Sequence, residues 1–232
     1  MKKKTLTVAI ALVLVVALAV GATYAYLTAS SGPVKNTFVV GGAVANGDLK
    51  LFEHVANKNA DGSYTLGSDT TTSNAYTVMP GVNLPKDPTV TVEKASGKYY
   101  LFVEVTKGSG FASVTVGEGD NAKTGAPLSY AVNDANWQPL TLTGKDKNRE
   151  VYVYCVTGKS AIQSAPVENV AVLKTIGDTQ NTITVSADND IVATLTNDSA
   201  SALTFKAYAC QAAGFQSATE AFNQCFGTTA GK

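Results

Sequence analysis

With 232 residues, 45% of them hydrophobic, the chain is long enough to bury a sizeable core, as one large domain or two small ones. Its 18 basic and 18 acidic residues cancel, which excludes the basic excess of a nucleic-acid binder and the acidic excess of a disordered tail. One His and three Cys exclude a site built on two histidines, a disulfide-dense scaffold and a zinc site with the usual Cys spacing.

The chain opens on Met1-Lys2-Lys3-Lys4, a positive n-region. An apolar run from Leu6 to Val20 follows, broken only by Thr7. Then comes Gly21-Ala22-Thr23-Tyr24-Ala25, which places small Thr23 and Ala25 just before a cut between Ala25 and Tyr26. This is the pattern of a secretory signal peptide, and the run is shorter than the roughly 20 residues a spanning helix needs. Residues 1–25 are therefore expected to be removed, taking three Lys and no acid with them. The expected product is exported and mildly acidic, and touches the membrane only through the uncleaved signal.

Residues 26–43 form an arm. Between Tyr26 and Gly47 the only charge is Lys35, and β-prone or apolar side chains recur, among them Tyr26, Leu27, Val34, Phe38 and Val40. Such an arm either tucks into its own sheet or adds a strand to a neighbour's sheet edge. In both cases the backbone is satisfied along the segment and alternate side chains set the register. The residues alone leave both open.

Residues 44–232 show no domain boundary and are expected to form a single β-sandwich domain. Short β-branched and aromatic runs recur at Thr37–Val40, Leu49–Phe52, Thr89–Val92, Tyr99–Thr106, Val151–Thr157, Ile183–Val185, Ile191–Leu195 and Leu203–Ala209. Tyr99, Leu101, Val103 and Val105 share one face by period two, as do Val151, Val153 and Cys155. Turn signals separate the runs, including Asp61-Gly62, Pro80-Gly81 and Thr157-Gly158-Lys159. Residues 54–75 and 117–126 read as long polar loops. Near the end, Ser217-Ala218-Thr219-Glu220 fits a capping box, with Ser217 as N-cap and Gly227 as the stop. Ala221, Phe222, Cys225 and Phe226 give that helix an apolar face. The expected fold is all-β, an antiparallel sandwich with one short C-terminal helix.

No catalytic constellation stands out. His54 follows Glu53 without an H-E-x-x-H pattern and reads as a surface or strand-edge residue. A Ser-His-Asp triad is met by residue count alone, and no G-x-S-x-G elbow exists. Gly117-Glu118-Gly119-Asp120-Asn121-Ala122 mimics a dinucleotide fingerprint but lies between β-type segments, where a hairpin turn fits better. Asp188-Asn189-Asp190 offers oxygen ligands without the rest of a calcium loop and reads as a solvated turn. Trp137 and the many Tyr suit either a sugar platform or core packing. No cofactor or metal site is expected. Cys210 and Cys225 can pair in an exported protein, closing a loop worth about 3 kcal/mol in the chain-entropy picture. Two buried thiols are the other reading, and Cys155 is then the odd one.

Several of these segments, in order, resemble the TasA/camelysin family. Tyr24-Ala25-Tyr26-Leu27-Thr28 followed by Asn36-Thr37-Phe38-Val39-Val40-Gly41 resembles the junction that a SipW-type signal peptidase cuts. Met79-Pro80-Gly81 with Lys86-Asp87-Pro88-Thr89-Val90 resembles an internal element of the family, and Tyr99–Val105 its following strand. Tyr208–Phe215 through Glu220-Ala221-Phe222 resembles its ending, although Cys210 stands where the family often has an apolar residue. The resemblance implies a jelly-roll sandwich, export, and assembly into biofilm-matrix fibres. It further implies donor-strand exchange: the freed arm of one subunit, about Tyr26 to Val40, completes the sheet of the next. The implied partners are other copies of the chain and the SipW-type peptidase, and the sequence leaves open whether a minor anchoring subunit joins them. Two other classes fit the same sandwich: a monomeric adhesin or carbohydrate-binding module, and a camelysin-like surface metallopeptidase. For the last, the chain lacks a metal-binding motif.

Overall fold

The computed structural model describes residues 28–31, 36–37, 43–45, 47–142, 146–175, 182–195 and 201–227. Two strands come from the arm, β1 (Thr28–Ser31) and β2 (Asn36–Thr37). The body supplies β3 (Leu49–Lys58), β4 (Tyr64–Thr71), β5 (Leu84–Pro85), β6 (Thr89–Val92) and β7 (Tyr99–Lys107). These are followed by β8 (Val114–Val116), β9 (Lys123–Gly125), β10 (Leu128–Ser129), β11 (Trp137–Pro139) and β12 (Arg149–Tyr154). Then come β13 (Val167–Ala171), β14 (Thr182–Val185), helix α1 (Asn189–Val192), β15 (Leu203–Gln211) and helix α2 (Ala218–Cys225).

A six-stranded sheet runs β11-β12-β7-β15-β1-β2. A four-stranded sheet, β13-β6-β3-β4, and a three-stranded one, β10-β14-β5, accompany it, and β8 and β9 form a separate hairpin. Among the described residues the ladders are all antiparallel, so the fold is an all-β antiparallel sandwich with a short C-terminal helix.

Alternation along the strands builds the core. Leu101, Val103 and Val105 of β7 with Phe205, Ala207 and Ala209 of β15 pack against Leu49, Val90 and Val92 of the facing sheet. The opposite face of β7 is buried as well. Tyr100 and Phe102 join Val151, Val153 and Cys210 beneath Ala221 and Phe222 of α2. Helix α2 therefore converts a two-faced strand into a fully buried one from Tyr99 to Val105. Phe222 meets Phe102 edge to face at 5.2 Å, a contact worth about 0.5–1.5 kcal/mol beyond its area.

The ends of α2 follow local chemistry. Ser217 accepts from the Glu220 N–H at 3.1 Å. Glu220 reaches back to the Gln216 N–H at 2.7 Å, one residue earlier than in a standard capping box. Gly227 follows the C-cap Phe226, and a Cβ there would lie 2.0 Å from the Asn223 carbonyl oxygen, so the chain needs glycine at this end.

Three expectations need correction. The segment 54–75 is not one loop: β3 continues to Lys58, turns at Asn59–Ser63 and returns as β4. Its Ser, Thr and Asp residues hide the period-two signal, but the ladder with β3 holds the strand. Likewise, 117–126 is not all loop: 117–122 is the hairpin turn expected there, with Gly117 at φ 87°, and Lys123–Gly125 returns as β9. The run at Ile191 starts a helix instead of a strand. Asp188 accepts from the N–H groups of Asp190 and Ile191, and that cap outweighs β propensity.

Candidate functional site

Two places concentrate features that ordinary packing does not demand. The first is the edge of the six-stranded sheet. On one side β15 pairs with β7 along its whole length, from Leu203↔Lys107 to Gln211↔Tyr99. On the other side it pairs with β1 over four residues, Thr28↔Cys210, Ala29↔Ala209, Ser30↔Tyr208 and Ser31↔Ala207. Strand β2 then pairs with β1 through Ser30↔Thr37 and Ser31↔Asn36. The ladder pairs the backbone groups of four residues on each strand. Remove the arm and β15 presents an unpaired edge between Ala207 and Cys210, the kind of edge that recruits another strand. The cleavage pair Ala25 and Tyr26 and the candidate donor residues Leu27, Val34, Phe38 and Val40 lie outside the described residues.

The second place is a buried polar cluster where β3 meets the segment after β5. Lys86 and Asp87 lie between Pro85 and Pro88, which restrain the backbone on both sides. Glu53 and Asp87 are 7% and 4% exposed, and Lys86 is 8% exposed. Two consecutive residues of β3 meet two consecutive residues of the segment after β5. Lys86 Nζ donates to Glu53 Oε1 at 2.6 Å. The His54 N–H donates to Asp87 Oδ1 at 2.9 Å, and His54 Nδ1 meets Asp87 Oδ2.

A register shift between His54 and Ala56 interrupts the β3–β4 ladder. Asn74 takes up the groups at the break. Its Oδ1 accepts from the Ala56 N–H at 2.9 Å and its Nδ2 donates to the His54 carbonyl at 2.9 Å. The same Nδ2 lies 3.1 Å from Glu53 Oε2. One carboxylate therefore bridges an ammonium and a carboxamide. The Phe205 ring lies 5.6 Å from Lys86 Nζ. Burial, then the charges of Glu53 and Asp87, push the Tyr76 phenol well above its ordinary range, and its hydroxyl donates to the Pro85 carbonyl. Glu53, Asn74, Tyr76, Lys86, Leu203 and Phe205 line a cavity of about 540 Å³.

Other candidate residues take simpler places. His54 is partly exposed and lies inside a paired strand, not at a sheet edge. Trp137 is fully buried, with Nε1 donating to the Ala171 carbonyl at 3.0 Å and its ring edge-on to Tyr154, so it is core and not a sugar platform. Asp188 caps α1, and Lys123 Nζ sits 3.0 Å from Asp188 and 2.8 Å from Asp190. Cys210 and Cys225 are bonded to each other, with Cα atoms 6.8 Å apart, and Cys155 is free. Among the described residues, no three His, Cys, Asp or Glu side chains are placed to hold a metal ion.

The Glu53–Asn74–Lys86 cluster is not among the sequence candidates. A signal for it exists: Glu53-His54 and Lys86-Asp87 put adjacent ionisable residues beside strand-forming runs in a chain only 16% charged. No known protein family, characterised protein or solved structure matches the chain significantly.

Proposed function

We propose that the chain is an exported structural subunit that assembles head to tail into extracellular fibres of a biofilm matrix, and is not an enzyme. The observation that carries this reading is the short β1–β15 ladder at a sheet edge. A strand held in cis by its backbone can make the same bonds on the same edge of another copy. The exchange conserves the hydrogen bonds, and a heterologous contact of this kind does not close, so it extends into filaments. The resemblance of the junction around Ala25 and Tyr26 to a SipW-type cleavage site supplies the trigger. Before the cut the membrane-embedded signal holds the arm, and after the cut the arm is free to exchange. Growth needs only further copies of the chain, and a minor subunit can anchor the first one to the cell.

The ladder in cis also suits a monomeric adhesin or binding module, and the test separates the two. Protein beginning at Tyr26 is compared with protein beginning at Val44 by negative-stain electron microscopy and sizing. Filaments from the first and none from the second are expected. A second measurement uses Ala29→Cys with Ala209→Cys, which are direct register partners. Exchange gives covalent multimers on a non-reducing gel under filament-forming conditions. Monomers from both proteins across salt and pH, with only intramolecular crosslinks, overturn the fibre reading in favour of the monomeric module.

A further inference from the structure

We propose that Lys86 and Asn74 become joined by an intramolecular isopeptide bond, with Glu53 as the proton carrier. Three geometric facts carry this inference. A nucleophile in waiting, Lys86 Nζ, and a carboxamide, Asn74, bind the two oxygens of one carboxylate at 2.6 and 3.1 Å. The carboxamide is fixed and its carbonyl is polarised, because Oδ1 accepts from the Ala56 N–H at 2.9 Å. A preorganised backbone donor is what a developing oxyanion requires. The Glu53 and Lys86 side chains are each 9% exposed, and the Phe205 ring lies near Nζ, so little water competes.

The step balances without any further reactant. The Lys86 ammonium passes a proton to Glu53, and the neutral amine adds to Asn74 Cγ. Negative charge develops on Oδ1, where the Ala56 N–H holds it. Glu53 gives its proton to Nδ2 and takes one from Nζ. The Cγ–Nδ2 bond breaks, ammonia leaves through the cavity that all three side chains line, and the Nζ–Cγ amide remains. No electron is transferred. The bond ties the loop after β4 to the segment after β5, across the irregular part of the β3–β4 ladder. It stands whether or not the chain forms fibres.

The test is the intact mass of the purified wild-type protein, reduced so that the Cys210–Cys225 bond does not contribute. The expected mass lies one ammonia below the sequence mass. Tryptic digestion is expected to leave Lys86 uncut and to yield one branched peptide containing Asn74 and Lys86. Glu53→Gln, Asn74→Ala and Lys86→Met are each expected to show the full mass of their own sequences. Wild-type protein at full sequence mass after prolonged incubation at neutral pH overturns the proposal, whatever the variants do. Loss of ammonia mapped by fragmentation to any other residue also overturns it.

Discussion

Glu53 and Glu104 are both buried carboxylates on strands of the sandwich, and their neighbours differ in kind. Glu104, 6% exposed on β7, accepts from Arg149 Nη2 at 2.6 Å and from the Tyr208 hydroxyl at 3.3 Å. Arg149 lies 5.6 Å from the Phe222 ring, which ties this pair to the packing of α2. A guanidinium keeps its charge and is a poor nucleophile, so this site can only hold. Glu53 meets a primary amine and a carboxamide instead, two groups that can condense. Two carboxylates of similar burial thus differ in capacity for chemistry because of one cation type and one amide.

The largest effect tests the holding role of the Arg149 site. Arg149→Leu leaves Glu104 buried without its cation, and breaking such a pair costs about 3–5 kcal/mol. Urea denaturation is expected to show that loss, with much of it recovered in the double variant Arg149→Leu with Glu104→Leu. Equal losses in the single and double variants would mean that side-chain packing, not the stranded charge, accounts for the cost.

The sequence exposes the strands of the sandwich and the Glu53 site to different degrees, and the reason is range. Period-two runs mark β6, β7 and β15 well, because each side chain's face is set by its own position in the strand. Ser217 marks α2 for the same reason, since a cap is a local event. Strand β4 and helix α1 are misread where polar outward residues or an Asp cap override the apolar pattern. The polar cluster needs Glu53, Asn74 and Lys86 to meet across two connections. No spacing rule encodes that meeting, and the break in the ladder that recruits Asn74 is itself a product of tertiary pairing.

A third carboxylate separates hydrogen bonding from burial. Glu150 accepts from Lys107 at 2.6 Å, Tyr130 at 2.8 Å and Tyr152 at 2.9 Å. Burial pushes its carboxyl up, but these hydrogen bonds, with the charge of Lys107, outweigh it and hold the carboxyl below the ordinary range. A lowered folded-state value contributes stability above the unfolded pKa of about 4.3 and loses it as pH falls through the folded value. Glu150→Gln is therefore expected to lower stability at neutral pH and to flatten its decline in acid. Burial first, then Glu150 itself, raises the Tyr130 phenol, which gives the opposite limb. That contribution is present below the unfolded phenol value of about 10 and is lost as pH rises past it. An unchanged acid limb in Glu150→Gln would mean that these hydrogen bonds do not hold the carboxylate.

The smallest effect belongs to Lys50 and Glu93, paired on the surface with side chains 50% and 44% exposed. Water already solvates both groups and salt screens them, so an exposed pair contributes about 0.2–1 kcal/mol. Glu93→Gln is expected to fall in that range by urea denaturation, with the difference shrinking as salt is added. The Arg149 and Glu104 side chains are 20% and 7% exposed, so the two pairs differ in solvent exposure as well as in cation type. A cost for Glu93→Gln matching that of Arg149→Leu, and insensitive to salt, would mean that burial is not what ranks these pairs.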